Sequence, residues 1–201
     1  MQDRHDARAG DVAETAGCAE VPARADARRN RTAILTAAED AFAREGLGVP
    51  VDEIARRAGV GAGTVYRNFP TKEALFEAVL VRHMEGLAAE AEELARDDHP
   101  GAALFTLLHR LADEASHRRN LVEAMLGSGV EVGEALKAAK EKVERAVALL
   151  LARAQEAGEV RGDIAVDDLF GMVIGCAIKP LSADSDAHSR MVSVICDGLR
   201  P

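Results

Sequence analysis

The chain of 201 residues is 48% hydrophobic and 29% charged, which suits one compact domain or a small domain joined to a larger one. Aromatic residues make up only 3%, tryptophan is absent, and alanine, leucine, glutamate and arginine dominate, so the expected fold is all-α with a core of small and aliphatic side chains. A formal charge of -9 argues against phosphate binding over the whole surface, and the three cysteines, Cys18, Cys176 and Cys196, form no CxxC pair that would suggest zinc or a disulfide framework; no apolar run approaches the roughly 18 residues of a membrane span.

In chain order, residues 1–27 mix Asp, Arg, Ala and Gly without apolar periodicity, and the expectation is a disordered arm. From Arg28 the pattern changes: Ile34, Leu35, Ala38, Ala41 and Phe42 recur at helical spacing up to Gly46 and Gly48. A second, short helix is expected to open at Pro50, with Asp52 and Glu53 in its first turn, Ile54 and Ala58 inward, and Gly59 as its end. After a tight turn at Gly59, Val60 and Gly61, a third helix buries Val65 and Phe69 and leaves Thr64, Arg67 and Asn68 outside. Pro70 ends it, Thr71 caps the next, and a longer helix from Lys72 carries the apolar stripe Leu75, Phe76, Val79, Leu80, Leu87 and Leu94. His99, Pro100 and Gly101 read as a break, followed by helices over 102–117, 121–126, 132–157, 167–178 and 185–199, with no strands and no repeats.

The charge is not spread evenly. Residues 28–72 hold eight Lys and Arg against five Asp and Glu, a balance of +3 that leaves -12 for the remainder. Two short helices joined by a glycine turn within this basic segment form a helix-turn-helix, whose second helix enters a DNA major groove. Gly61, Ala62 and Gly63 leave its start without bulky side chains, so backbone can approach a phosphate or a base edge. The same stretch, GVGAGT, lacks the GK[ST] ending and preceding strand of a nucleotide-binding loop.

Residues 31–79, RTAILTAAEDAFAREGLGVPVDEIARRAGVGAGTVYRNFPTKEALFEAV, resemble the DNA-binding domain of TetR-family transcriptional regulators; the most specific part is GVGAGTVYRNFPTKEAL. LLARAQEAGEVRGDIAVDDLF is similar to a helix, turn and helix start found in the second half of many members. The resemblance implies an N-terminal three-helix helix-turn-helix DNA-binding domain over 28–71 and a larger C-terminal helical domain for ligand binding and dimerisation over 72–201. Carried over by position, Ala62, Gly63, Thr64, Tyr66 and Arg67 face a double-stranded DNA operator, with Thr64, Tyr66, Asn68 and Lys72 on phosphates and Arg67 reading a base. Gly61 stands where the family usually has Ser, and Val49 and Pro50 where Thr or Ser often opens the second helix, so two hydroxyl contacts are absent.

The unpaired cysteines and the lack of a membrane span or apolar leader lead to the expectation of a soluble, cytoplasmic protein, and the resemblance further implies a homodimer released from a pseudopalindromic operator by a small-molecule effector, most simply as a repressor. Met84, Phe105, Met125, Phe170 and Met172 suit either a ligand cavity or ordinary core packing. Leu169, Met172, Val173 and Cys176 on one helix and Val192, Ile195 and Leu199 on the next fit an intersubunit four-helix bundle, although packing within one chain gives the same stripes. His109, Asp113 and His117 form a row pointing away from Leu104, Leu108 and Leu111, so no metal or cofactor site is expected. The residues leave two other classes open, an enzyme on a helical scaffold and an interaction module that no longer binds DNA, but no nucleophile, base and orienter stand in a recognisable arrangement.

Overall fold

The computed structural model describes residues 20–117, 133–178 and 185–201, and among these there is no strand. Its helices are α1 (Glu20–Glu45), α2 (Val51–Arg57), α3 (Ala62–Asn68), α4 (Lys72–Leu94), α5 (Pro100–His117), α6 (Glu134–Glu156), α7 (Val166–Ile178) and α8 (Ser185–Leu199), with a 3-10 turn at Gly46–Gly48. The segment expected as a helix over 121–126 lies outside the described residues.

The disordered arm expected over 1–27 is corrected at its end, because α1 already begins at Glu20. Ala23, Ala25 and Ala27 supply helix propensity where no apolar stripe exists. Pro22 falls in the first turn, where a missing N–H costs no intrahelical bond. The second half of α1 buries Ile34, Ala38, Ala41 and Phe42, and the Phe42 ring meets that of Phe76 edge to face at 5.5 Å. Around them close Ile54 and Ala55 of α2, Val65 of α3, and Leu75, Phe76, Val79 and Leu80 of α4. This N-terminal core therefore runs past residue 71 into the linker helix, and it also takes in Leu136 from the first turn of α6, only 5% exposed.

A second core unites the rest. Ala88 and Ala91 of α4, Leu104 and Leu107 of α5, Leu150 of α6, Leu169 of α7, and Val192 and Leu199 of α8 are all buried in it. Burying one such leucine is worth roughly 2 to 3 kcal/mol relative to leaving it exposed. Met84 packs against both cores and marks the seam between them.

Backbone chemistry sets the corners. At the end of α2 Gly59 has φ 69°, its N–H donates to Arg56 O (3.2 Å), and the Val60 N–H reaches Ala55 O (3.0 Å), a Schellman motif. Gly158 (φ 69°) closes α6 in the same way, with Glu159 N–H on Ala154 O at 3.0 Å. Glu159 then turns its carboxylate onto the start of α5, where Oε2 accepts from the Gly101 N–H at 2.6 Å. The break expected at His99, Pro100 and Gly101 lies over residues 95–99, and Pro100 and Gly101 already belong to the first turn of α5, where proline is tolerated and the Gly101 donor is capped. Pro50 is the N-cap of α2, one position before the helix, with extended ψ of 147°. The Thr71 cap is formed as expected, Oγ1 accepting from the Ala74 N–H at 3.1 Å.

Candidate nucleic-acid interface

The α2–α3 pair presents one face to solvent because its other face is consumed by packing. Val65 (1% exposed) and Phe69 (3%) anchor α3, which turns Tyr66, 49% exposed, and Arg67 outward. Ala62, Thr64 and Asn68 are half-buried at the rim, Gly63 is exposed, and Lys72 opens α4 half-buried beyond the corner. Thr64 organises this surface: its Oγ1 accepts from Arg67 Nη2 at 3.0 Å, and its carbonyl accepts from Asn68 Nδ2 at 2.8 Å. Arg67 is held along the helix by that bond, with further guanidinium donors left for a partner.

A Cβ added at Gly61 or Gly63 would meet nothing within 4 Å, and neither glycine has positive φ. Among the described residues nothing requires glycine at these two positions, and the start of α3 presents bare, exposed backbone.

The neighbouring α2 arginines are engaged otherwise. Arg56 grips Glu53 with Nε and Nη2, both at 2.8 Å, Arg57 Nε donates to the same carboxylate at 2.8 Å, and Arg57 also pairs with Glu45 at the end of α1. Hydrogen bonds from Arg56 and then Arg57 hold the Glu53 carboxyl at about 2, well below its usual 4.5. The i, i+3 and i, i+4 spacing of these residues is the signal from which the cluster could have been read in sequence. Arg31 of α1 lies over the Phe69 ring at 4.4 Å, a contact with no local signal because it joins distant segments.

Of the five residues named for a ligand cavity, Met84, Phe105, Phe170 and Met172 all pack half-buried against the C-terminal core. Met84 sits at the seam of the two cores, Phe105 lies under the Arg200 guanidinium at 5.0 Å, and Met125 is outside the described residues. Three residues named for the dimer interface are corrected: Leu169 (1% exposed), Val192 (2%) and Leu199 (1%) are spent inside their own chain. Met172, Val173 and Ile195 are half-buried, while among the described residues of these two helices the exposed large apolar ones are Ile174 (37%) and Val194 (70%). The side chain of Cys176 lies outside the described residues. Among the described residues no group of three His, Cys, Asp or Glu is placed to hold a metal, and no helix is long and apolar enough to cross a membrane.

A helix-turn-helix with an exposed polar second helix, carried by a linker helix on a larger helical body, defines a DNA-binding transcriptional regulator. The chain belongs to the TetR family: residues 34–79 match the family model for bacterial regulatory proteins of the tetR family, and residues 99–201 match that of the C-terminal domain of SbtR-like transcriptional regulators. It is 29% identical over 143 residues to the HTH-type transcriptional regulator UidR of Escherichia coli, covering 69% of this chain and 73% of that one. Among solved structures it is similar to a TetR transcription regulatory protein from Mycobacterium vanbaalenii, 43% identical with a TM-score of 0.71 over 90% of this chain and 100% of that one. A TetR transcriptional regulator from Streptomyces coelicolor matches at 34% identity and a TM-score of 0.67, over 85% and 98% of the two chains. The family and these relatives are transcriptional regulators, a class that is not enzymatic.

Proposed function

We propose that the chain is a ligand-responsive repressor that binds a pseudopalindromic operator as a homodimer and leaves it when a small molecule binds the C-terminal domain. The observation that carries the reading is the outward face of α3, where Tyr66 and Arg67 project beside glycines that internal packing does not require. Arg67 reads a guanine through O6 and N7, while Thr64, Tyr66, Asn68 and Lys72 hold phosphates and Ala62 and Gly63 admit the backbone of the groove. Two such helices related by a twofold axis meet half-sites about one helical turn or a multiple apart. Exposed Ile174 and Val194, with half-buried Met172, Val173 and Ile195, support pairing of copies through α7 and α8.

Release follows from a change in the spacing of the two reading helices. An effector that binds the DNA-incompetent arrangement more tightly draws the population there, and equal affinity for both arrangements does nothing. The lever is α4, which carries residues of both cores; Leu136 of α6, seated in the N-terminal core, is a second grip on the same unit.

Selection from a random duplex pool by the purified protein at near-physiological salt tests this function. Enrichment of one pseudopalindrome is expected, and no enrichment by folded protein free of carried-over ligand contradicts it.

A further inference from the structure

Between α1, α4 and the first turn of α6 the chain leaves an open groove of about 520 Å³. Its α4 wall is a single stripe, since residues 74, 77, 78, 81, 82 and 85 stand at i, i+3, i+4, i+7, i+8 and i+11. Leu35 of α1, with Ala78 and Val81 of α4, forms an apolar floor that is half-buried against the N-terminal core. None of the wall residues packs in the C-terminal core, so the groove is separate from an effector site within that core.

Four charged side chains line the same groove, Arg31 and Arg82 against Glu77 and Glu85, and none of the four forms an ion pair among the described residues. Arg82 and Glu85 are three residues apart, the spacing at which Arg56 meets Glu53 and Arg96 meets Glu93. Arg82 instead turns across to α1, where its Nη1 donates to Thr36 Oγ1 at 3.0 Å, and it keeps further guanidinium donors. Arg31 covers the Phe69 ring with its face, which leaves its in-plane donors unspent. The half-buried Glu77 carboxylate lies against bare backbone where α6 begins, for a Cβ built at Gly133 would stand 2.1 Å from Glu77 Oε1. The groove therefore offers donors and acceptors of full charge beside an apolar floor.

We propose that this groove binds a small zwitterion with an apolar body. Arg82 and Arg31 take its carboxylate, Glu77 and Glu85 take its ammonium, and Leu35, Ala78 and Val81 carry the body. Charge complementarity selects this class: a singly charged ligand would meet two like charges, and an uncharged apolar one would strip water from four ionised groups without replacing its hydrogen bonds. The volume has room for a molecule the size of a dipeptide. Because the walls come from α1, α4 and Ala135 of α6, an occupant ties the N-terminal unit to the start of α6 and is a second input to the placement of the reading helix. That regulatory consequence rests on the operator reading above, whereas the binding itself does not.

The test is calorimetric titration of the full-length protein with leucylleucine, its C-terminal amide and its N-acetyl derivative, three probes with one apolar body and different charges. Saturable binding of leucylleucine is expected, with both singly charged probes about tenfold weaker or worse. Arg82→Ala should weaken leucylleucine by about tenfold or more. Thr36→Val, which removes the Arg82 hydrogen bond and keeps the guanidinium, should bind at least as well as the unaltered protein. Glu77→Gln should weaken leucylleucine and leave its N-acetyl derivative no worse, and circular dichroism checks that each variant is folded. No saturable binding by the folded, unaltered protein overturns the site, as does equal binding of all three probes, or binding indifferent to both Arg82→Ala and Glu77→Gln. Operator affinity with and without leucylleucine then tests the regulatory input: a shift that Arg82→Ala abolishes is expected, and no shift overturns that input alone. An unaltered protein that binds no duplex overturns the operator reading, and the calorimetric result stands apart from it.

Discussion

Gly101 and Glu53 show how single residues set the corners of this molecule. A Cβ built at Gly101 would stand 2.6 Å from the Cβ of Glu159, and because the clash reaches the root of that side chain, rotation cannot relieve it. Gly101→Ala is expected to cost about 1 to 3 kcal/mol in urea unfolding, since the α5 cap must shift to make room. Glu53 makes a prediction in pH. Its carboxyl is held at about 2 by Arg56 and Arg57, so its contribution is fully present above its ordinary 4.5 and is lost as pH falls through about 2. Thermal melts of Glu53→Gln should show a deficit at pH 6 that shrinks toward pH 2, and a deficit independent of pH would contradict the arginine clamp.

At the scale of helices, what the sequence makes legible is what is decided locally. The ends of α2 and α3 follow from Gly59, Gly61, Pro70 and Thr71, whose backbone preferences act within a few residues, and these boundaries are where the structure places them. The start of α1 is not legible in that way, since arginine and alanine give helix propensity without an apolar stripe. Nor can periodicity say what an apolar stripe meets: Leu169, Val192 and Leu199 turned inward to their own chain, while Val194 stayed outside. Leu136 belongs to the same class, an apolar position of α6 that crosses into the other core. Leu136→Ala is expected to cost about 2 to 4 kcal/mol and to loosen the N-terminal unit first. Tyr66, the single tyrosine in a chain without tryptophan, reports that unit; its emission should change at lower urea than helix content does, whereas coincident transitions would place Leu136 outside the coupling.

The whole molecule is polarised. A segment of +3 carries the reading helix and the remainder carries -12, so phosphate is attracted at one end and repelled elsewhere, which orients approach to DNA. The two units are joined by α4 and by the Leu136 contact, so a displacement within the C-terminal core has two routes to the reading helix. In a twofold dimer that displacement changes the separation of two such helices, and a site of fixed half-site spacing then loses one of them. The proposed function turns on base reading by α3 through Arg67. The most direct measurement is the affinity of the unaltered protein and of Arg67→Ala for the selected operator and for its single-base variants. Expected is a loss of about 1 to 3 kcal/mol together with relaxed preference at one base pair of each half-site. Unchanged affinity and unchanged preference would remove Arg67 from the reading face and contradict that function.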